Sequence, residues 1–352
     1  MKPHPHIDEL QRSASAGYPR GHYLRLDRNE LVPDITQEVF EGIMRRLSPT
    51  TFTCYPATGP LYDALAAKTG QGQANILIGA GSDWLIRNIF DVFCVPGTRV
   101  VMPTPTYGMY EVYAKINQAE LVTIDYEADL SFPAQAVLAA MADGVGIVAL
   151  ANPNGAIGSA IPHEVLTRIL EAARSSNALV IVDEAYVEYV DADCGIFIDD
   201  FPNLLVVRTF SKALGLAGLR VGYALGNASL IRSVAKLRPN VEINQVAVEA
   251  ALYLLENEQL VLDHVRAGLS GKEHLSKCLR DLGFEVYEGH ANFLQTKLGV
   301  HRSRILERLR SEEILVKDEQ DPILSDWTRI TIGPEQEMDR VVDCVRSEMK
   351  NA

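Results

Sequence analysis

The chain has 352 residues, 47% of them hydrophobic and 22% charged, and a formal net charge of −13. These values fit a folded globular protein of two structural units and exclude a general binder of nucleic acid or anionic membrane, while leaving room for a local basic pocket. Five scattered cysteines, without metal-ligand spacing, read as the reduced thiols of a cytoplasmic protein. The first residues, Met1-Lys-Pro-His-Pro-His6, lack the apolar run of a secretory signal. No uncharged apolar run approaches the ~20 residues of a membrane span. His4 and His6 alternate with prolines and read as part of a tail, so no metal is expected.

Residues 1–30 read as an irregular N-terminal arm that ends in Leu24-Arg-Leu-Asp-Arg-Asn-Glu30. Helical spacing runs through Ile35, Val39, Ile43 and Leu47. Cys54-Tyr-Pro-Ala-Thr-Gly59 follows; taken alone, Tyr55-Pro56 is a turn or extended dipeptide. Ile76-Leu-Ile-Gly-Ala-Gly-Ser-Asp-Trp84 reads as a strand, a glycine loop and then a helix through Leu85, Ile89 and Val92. Such a loop offers free backbone N–H groups and a positive dipole end to an anion. It is not a P-loop, because no Gly-Lys-Ser/Thr follows.

Pro96-Gly97 marks a turn, and 98–102 a strand leading into Pro103-Thr-Pro-Thr-Tyr-Gly-Met-Tyr110. The strand 146–151 leads into Asn152-Pro-Asn-Gly-Ala-Ile-Gly158. A helix is expected over 162–175. Next comes Ala178-Leu-Val-Ile-Val-Asp-Glu-Ala-Tyr186, an apolar strand ending in Asp183. The run Leu204-Leu-Val-Val207 reads as a short buried strand and delivers Arg208-Thr-Phe-Ser-Lys-Ala-Leu-Gly-Leu-Ala-Gly-Leu-Arg220. Alternating strands and helices predict an α/β fold with a mainly parallel sheet and helices on both faces. The large unit is placed at 31–238. Residues 239–352 form a small α/β unit, with helices over 245–282 and near 302–311 and strands at 284–287, 293–296 and 328–332.

Lys212 is the residue that needs a chemical explanation. A lysine just after a buried strand can hold its amine in a cleft, where partial burial frees it to attack a carbonyl. Thr209, Ser211 and Arg220 suit a phosphate. A lysine nucleophile beside a phosphate cradle suggests pyridoxal phosphate. Asp183, at the end of a strand in an open α/β sheet, suits the protonated ring nitrogen that makes this cofactor an electron sink.

With Val182-Asp-Glu-Ala-Tyr186 and Thr209-Phe-Ser-Lys-Ala-Leu-Gly-Leu-Ala-Gly-Leu-Arg220, the chain resembles the fold-type I pyridoxal-phosphate enzymes. Within them it is similar to the histidinol-phosphate aminotransferase-like group, from about Leu26 to about Gly333. The resemblance implies a seven-stranded sheet and a homodimer. It implies Lys212 as the Schiff-base lysine, Asp183 at the ring nitrogen, Tyr107 stacked on the ring and Tyr186 on the phenolic oxygen. Gly81, Ser82, Asp83, Thr209, Ser211 and Arg220 would hold the phosphate, joined by Tyr55 from the neighbouring subunit. Arg329, Asn29 and Tyr18 would contact substrate, with Arg329 gripping its carboxylate or phosphate.

Three positions depart from the family. Trp84 stands where glutamate is usual. The family's Asn-Pro-Asn-Asn-Pro-Thr-Gly is here Asn152-Pro-Asn-Gly-Ala-Ile-Gly158, so Gly155 replaces the asparagine that bonds the phenolic oxygen. Either Asn154 substitutes for it, or Tyr186 holds the oxygen alone; Gly155 also admits a turn with φ > 0. Val316 or Lys317 stands where histidinol-phosphate enzymes often carry a second arginine.

The expected activity is a transamination of a small amino acid or amino phosphate. Other chemistry at the same carbon, such as decarboxylation, cyclisation or oxidation, is the alternative on the same scaffold. A non-catalytic ligand binder is disfavoured by intact Lys212 and Asp183.

Overall fold

Twelve strands form two sheets in the computed structural model, which describes residues 4–10, 19–190 and 193–350. In chain order they are β1 (Leu24–Leu26), β2 (Ile76–Gly79), β3 (Arg99–Thr104), β4 (Glu120–Asp125), β5 (Ile147–Ala151), β6 (Leu179–Asp183), β7 (Leu204–Thr209), β8 (Gly222–Gly226), β9 (Glu285–Tyr287), β10 (Phe293–Lys297), β11 (Ile314–Asp318) and β12 (Thr328–Thr331). The large sheet has seven strands in the order β2-β8-β7-β6-β5-β3-β4. β3 to β7 pair in parallel, and β8 runs antiparallel between β2 and β7.

The central strands are buried along their whole length. A parallel sheet covered by helices on both faces requires this, and so β5, β6 and β7 read as unbroken apolar runs. Successive side chains point to opposite faces. Val148, Val180 and Val206 enter the core on one face, and Ile147, Ile181 and Leu205 the core on the other. Ile181 has no exposed surface; truncation of such a side chain to alanine costs ~2–5 kcal/mol.

Local signals set the helix ends. The Thr36 side chain accepts from Val39 N at the start of the helix Gln37–Arg45. Asn244 does the same for Ala247 N at the start of Gln245–Glu256. Gly70, at φ 69°, ends the helix Gly59–Thr69.

The small sheet has the order β1-β11-β12-β10-β9. β1 supplies a parallel edge through Leu24, Arg25 and Leu26 opposite Ile314, Leu315 and Val316. Residues 24–26 are thereby tied to the C-terminal unit. The boundary near 238–239 does not match the packing. Ile243, Ala247, Val248 and Leu254 belong to a core of the large sheet, as does Val265. Leu275 and Leu279 pack into the small sheet's core. The long helix Glu258–Asp281 thus passes from one core to the other along its own length. The helical stretch expected over 245–282 is two helices, Gln245–Glu256 and Glu258–Asp281, parted at Asn257.

β3, β5, β6 and β7 all end at one edge of the sheet, at Thr104, Ala151, Asp183 and Thr209. The crevice outside these carboxyl ends is where open α/β sheets bind ligands.

Candidate active site

An anion cradle forms where β2 turns into the helix Ser82–Phe93. Gly81 precedes the helix at φ 84°, and a Cβ there would stand 2.7 Å from Arg220 Nη2. Glycine is needed for both reasons: the conformation is left-handed, and a guanidinium occupies the space. Arg220 itself holds φ 55°. On the facing strand, a Cβ on Gly222 would lie 2.5 Å from Ser82 N, so β8 approaches the helix N-terminus closely. The opening peptide N–H groups of that helix lack intrahelical partners. Thr209 Oγ1 donates to Ser211 Oγ at 3.0 Å and accepts from Ser211 N at 3.1 Å. Ser82, Thr209, Ser211 and Arg220 line one cavity of about 300 Å³.

Asp83 lies in the first turn, and its Oδ1 accepts from the hydroxyls of Tyr107 (2.9 Å) and Tyr113 (2.7 Å). Its carboxylate is thereby engaged, leaving the peptide N–H as its offering to an anion. Burial, reinforced by Asp83, pushes the Tyr107 hydroxyl well above its ordinary range and keeps it a donor.

Asp183 ends β6 and is 6% exposed. Its Oδ2 accepts from Tyr110 at 3.0 Å and its Oδ1 from Ala185 N at 3.2 Å. Burial raises its pKa to about 6, against the pull of Tyr110, Ala185 and Lys212. Among the described residues it makes no ion pair. Lys212 Nζ donates to the Arg28 carbonyl at 3.0 Å and lies 5.6 Å from the centroid of the Tyr186 ring. The Tyr186 hydroxyl accepts from Asn29 Nδ2 at 2.8 Å. Arg329 donates through Nη1 to Gly155 O at 2.8 Å and through Nη2 to Asp27 O at 3.3 Å. Asn29, Tyr107, Gly155, Asp183, Tyr186, Lys212 and Arg329 share the cavity with the anion cradle.

The profile of the family described as aminotransferase class I and II matches residues 20–345. The chain belongs to that family. The histidinol-phosphate aminotransferase of Thermococcus gammatolerans is 32% identical over 328 residues, 92% of each chain. That of Ruminiclostridium cellulolyticum is 31% identical over 354 residues, 96% of this chain and 97% of its own. The crystal structure of histidinol-phosphate aminotransferase from Sinorhizobium meliloti with pyridoxal-5'-phosphate superposes with a TM-score of 0.86 at 27% identity, covering 99% of this chain and 97% of that one.

The protein is a pyridoxal-phosphate-dependent aminotransferase. Its cavity suits the cofactor. A buried carboxylate without an ionic partner suits a ring N–H⁺, and the cradle with Arg220 suits a phosphate. Lys212 lines the same cavity.

Two expectations for this aminotransferase need correction. Asn154 is not available to the phenolic oxygen. Its Nδ2 donates to Pro105 O and to the Tyr126 hydroxyl, both at 3.0 Å, and its Oδ1 accepts from Ala156 N and Ile157 N. Both ends of the amide are spent on fixing the 152–158 loop, and the residue is 1% exposed. Gly155 is not among the residues of positive φ, so what demands glycine there is contact. Tyr55 is 91% exposed and does not line the cavity of its own chain. Tyr18 lies outside the described residues.

The sequence reading missed Tyr110, Tyr113 and Glu319. Tyr110 follows Tyr107 by three positions, the spacing of one helical turn, and opens onto Asp183 from the helix Met109–Ile116. Trp84 has a packing role: a Cβ on Gly79 would stand 2.5 Å from its ring.

Proposed function

We propose that this aminotransferase takes an amino donor bearing an anionic group, an amino acid or an amino phosphate, and that Lys212 is its catalytic base and acid. The observation that carries the reading is the meeting of Lys212, Asp183 and Arg329 in one cavity. Bound pyridoxal phosphate supplies an electron sink for negative charge developing at the donor's α-carbon. Lys212 Nζ would hold the cofactor, and its amine is the group that would move the donor's proton, as base and then as acid. Asp183, oriented by Tyr110, would keep the proton on the cofactor's ring nitrogen. Tyr107 would cover one ring face. Tyr186, oriented by Asn29, would donate to the phenolic oxygen. Gly81, Ser82, Asp83, Thr209, Ser211 and Arg220 would hold the phosphate, the acidic residue through its peptide N–H. Arg329 grips the donor's anion as a forked donor.

The same reading includes a homodimer in which Tyr55 reaches the phosphate of the partner's site. Its 91% exposure, with Phe52 at 71% nearby in the chain, supports a surface that awaits a second copy. No helix among the described residues is long and apolar enough to cross a membrane.

Histidinol phosphate, the substrate in the names of the relatives, is the first donor to test, followed by amino acids. Mass balance after a single addition of donor decides the reaction. Keto product with bound pyridoxamine phosphate supports the proposal; release of CO₂ assigns decarboxylation instead.

A further inference from the structure

We infer that Glu319 sets the charge of the substrate-anion subsite and matches it to a carboxylate monoanion in preference to a phosphate dianion. The inference rests on the reading of Arg329 as the residue that grips the donor.

Glu319 directly follows β11, and its Oε1 faces Arg329 Nε at 3.4 Å. The two side chains are 9% and 12% exposed. Neither atom has a hydrogen bond among the described residues. The remaining contacts of the guanidinium are to the carbonyls of Gly155 and Asp27. Those carbonyls orient Arg329 without cancelling its charge. Glu319 is the one carboxylate within ion-pair range of Arg329 among the described residues. Burial raises its carboxyl above the ordinary range, while Arg329 and Lys317 pull it back.

Lys317 lies directly opposite Arg329 in the β11–β12 register and is exposed. It stands at or beside the place where the family often carries a second arginine. A lysine there is a hydrated point charge, without the fork that clasps phosphate in two places. Arg329 lines the cavity, Glu319 offsets part of its charge, and neither Glu319 nor Lys317 is among the lining residues. The charge that remains suits a monoanion. A phosphate dianion brings one more negative charge toward a carboxylate that water scarcely reaches, where like charges a few ångströms apart repel far more than in bulk water. The resident acid therefore selects against the second charge of the ligand.

The test measures binding without turnover. Dissociation constants of valerate and n-butyl phosphate are determined by calorimetry on the cofactor-loaded enzyme at about pH 8, where the alkyl phosphate is a dianion. Valerate is expected to bind the wild type more tightly. Glu319→Gln, which keeps shape and removes charge, is expected to tighten butyl phosphate about tenfold, or 1.4 kcal/mol, and to change valerate less than about threefold. Tighter binding of butyl phosphate to the wild type overturns the inference, and this comparison stands even if the variant does not fold. Equal effects of Glu319→Gln on the two anions also overturn it. Arg329→Gln separates the two layers. If it weakens neither anion, the reading of Arg329 is wrong; if it weakens both while Glu319→Gln changes nothing, that reading stands and the role of Glu319 fails.

Discussion

Gly155 presses against Tyr186: a Cβ on residue 155 would stand 3.1 Å from the ring Cε2 and 3.2 Å from the hydroxyl oxygen. The same peptide is held from the other side, where its carbonyl accepts from Asn29 and Arg329. The loop, the phenol and the anion-gripping arginine form one contiguous unit. The asparagine that the family carries at this position has no room here unless Tyr186 gives way by a few tenths of an ångström.

Gly155→Asn therefore changes two things at once. It offers an amide to the cofactor's phenolic oxygen, and it displaces Tyr186. A hydrogen bond to the anionic oxygen favours the deprotonated form. The visible cofactor band is expected to titrate at a lower pH in the variant than in the wild type. A spectrophotometric pH titration measures this, and an unchanged midpoint with cofactor bound contradicts it.

Tyr110→Phe removes the hydroxyl that donates to Asp183 Oδ2. Hydrogen bonds to charged groups are worth ~1.5–3 kcal/mol. A roughly tenfold loss in kcat follows, with weaker cofactor retention and a fold left intact, since the buried ring remains. Steady-state kinetics together with an unchanged circular dichroism spectrum check it. Wild-type kcat in the variant would show that Asp183 needs no such support.

Most of this site was legible in the chain, and the reasons for the rest are physical. β5, β6 and β7 are buried on both faces, so their apolar runs stand out in sequence. Asp183 and Lys212 then mark the strand ends where ligands bind. β1 and β8 were not legible: β1 has three residues, and Gly222–Gly226 is bounded by glycines and lacks a polar alternation. The domain boundary misled because Arg238-Pro239 looks like a break, whereas burial of Ile243 and Val265 decides the packing. Asn154 looked free because sequence shows an amide without its partners. Glu319 directly follows β11 and Arg329 lies on β12, and the pairing of those two strands brings the side chains together.

Asp183 gives the site a pH dependence with a definite sign. Burial raises its pKa from 3.8 to about 6 in the cofactor-free protein. The folded state then holds that proton more tightly than the unfolded chain, so this group's contribution to stability declines as pH rises from 3.8 through about 6. A protonated ring nitrogen reverses the balance by pairing with the ionised carboxylate. The rise in Tm on adding pyridoxal phosphate is expected to grow between about pH 5 and about pH 7, and Asp183→Asn should flatten that growth. The same slope in both proteins contradicts the assignment.

Gly222→Ala tests the close approach of β8 to the cradle. The new methyl would meet Ser82 N at 2.5 Å and the Gly81 carbonyl carbon at 2.7 Å. These are backbone atoms, which cannot rotate away. Overpacking of this kind costs ~1–3 kcal/mol. A lowered Tm accompanied by loss of bound cofactor is expected; equilibrium unfolding with cofactor titration reads both. Unchanged affinity for pyridoxal phosphate would detach Gly222 from the phosphate site.

The central claim is that Lys212 carries the cofactor. Borohydride reduction of the loaded enzyme followed by peptide mass mapping tests it most directly. The cofactor's mass is expected on Lys212 in the wild type, and no reducible adduct in Lys212→Ala, which should also lack turnover and the visible band. An adduct on another lysine of the wild type, or one that persists in Lys212→Ala, would contradict the account.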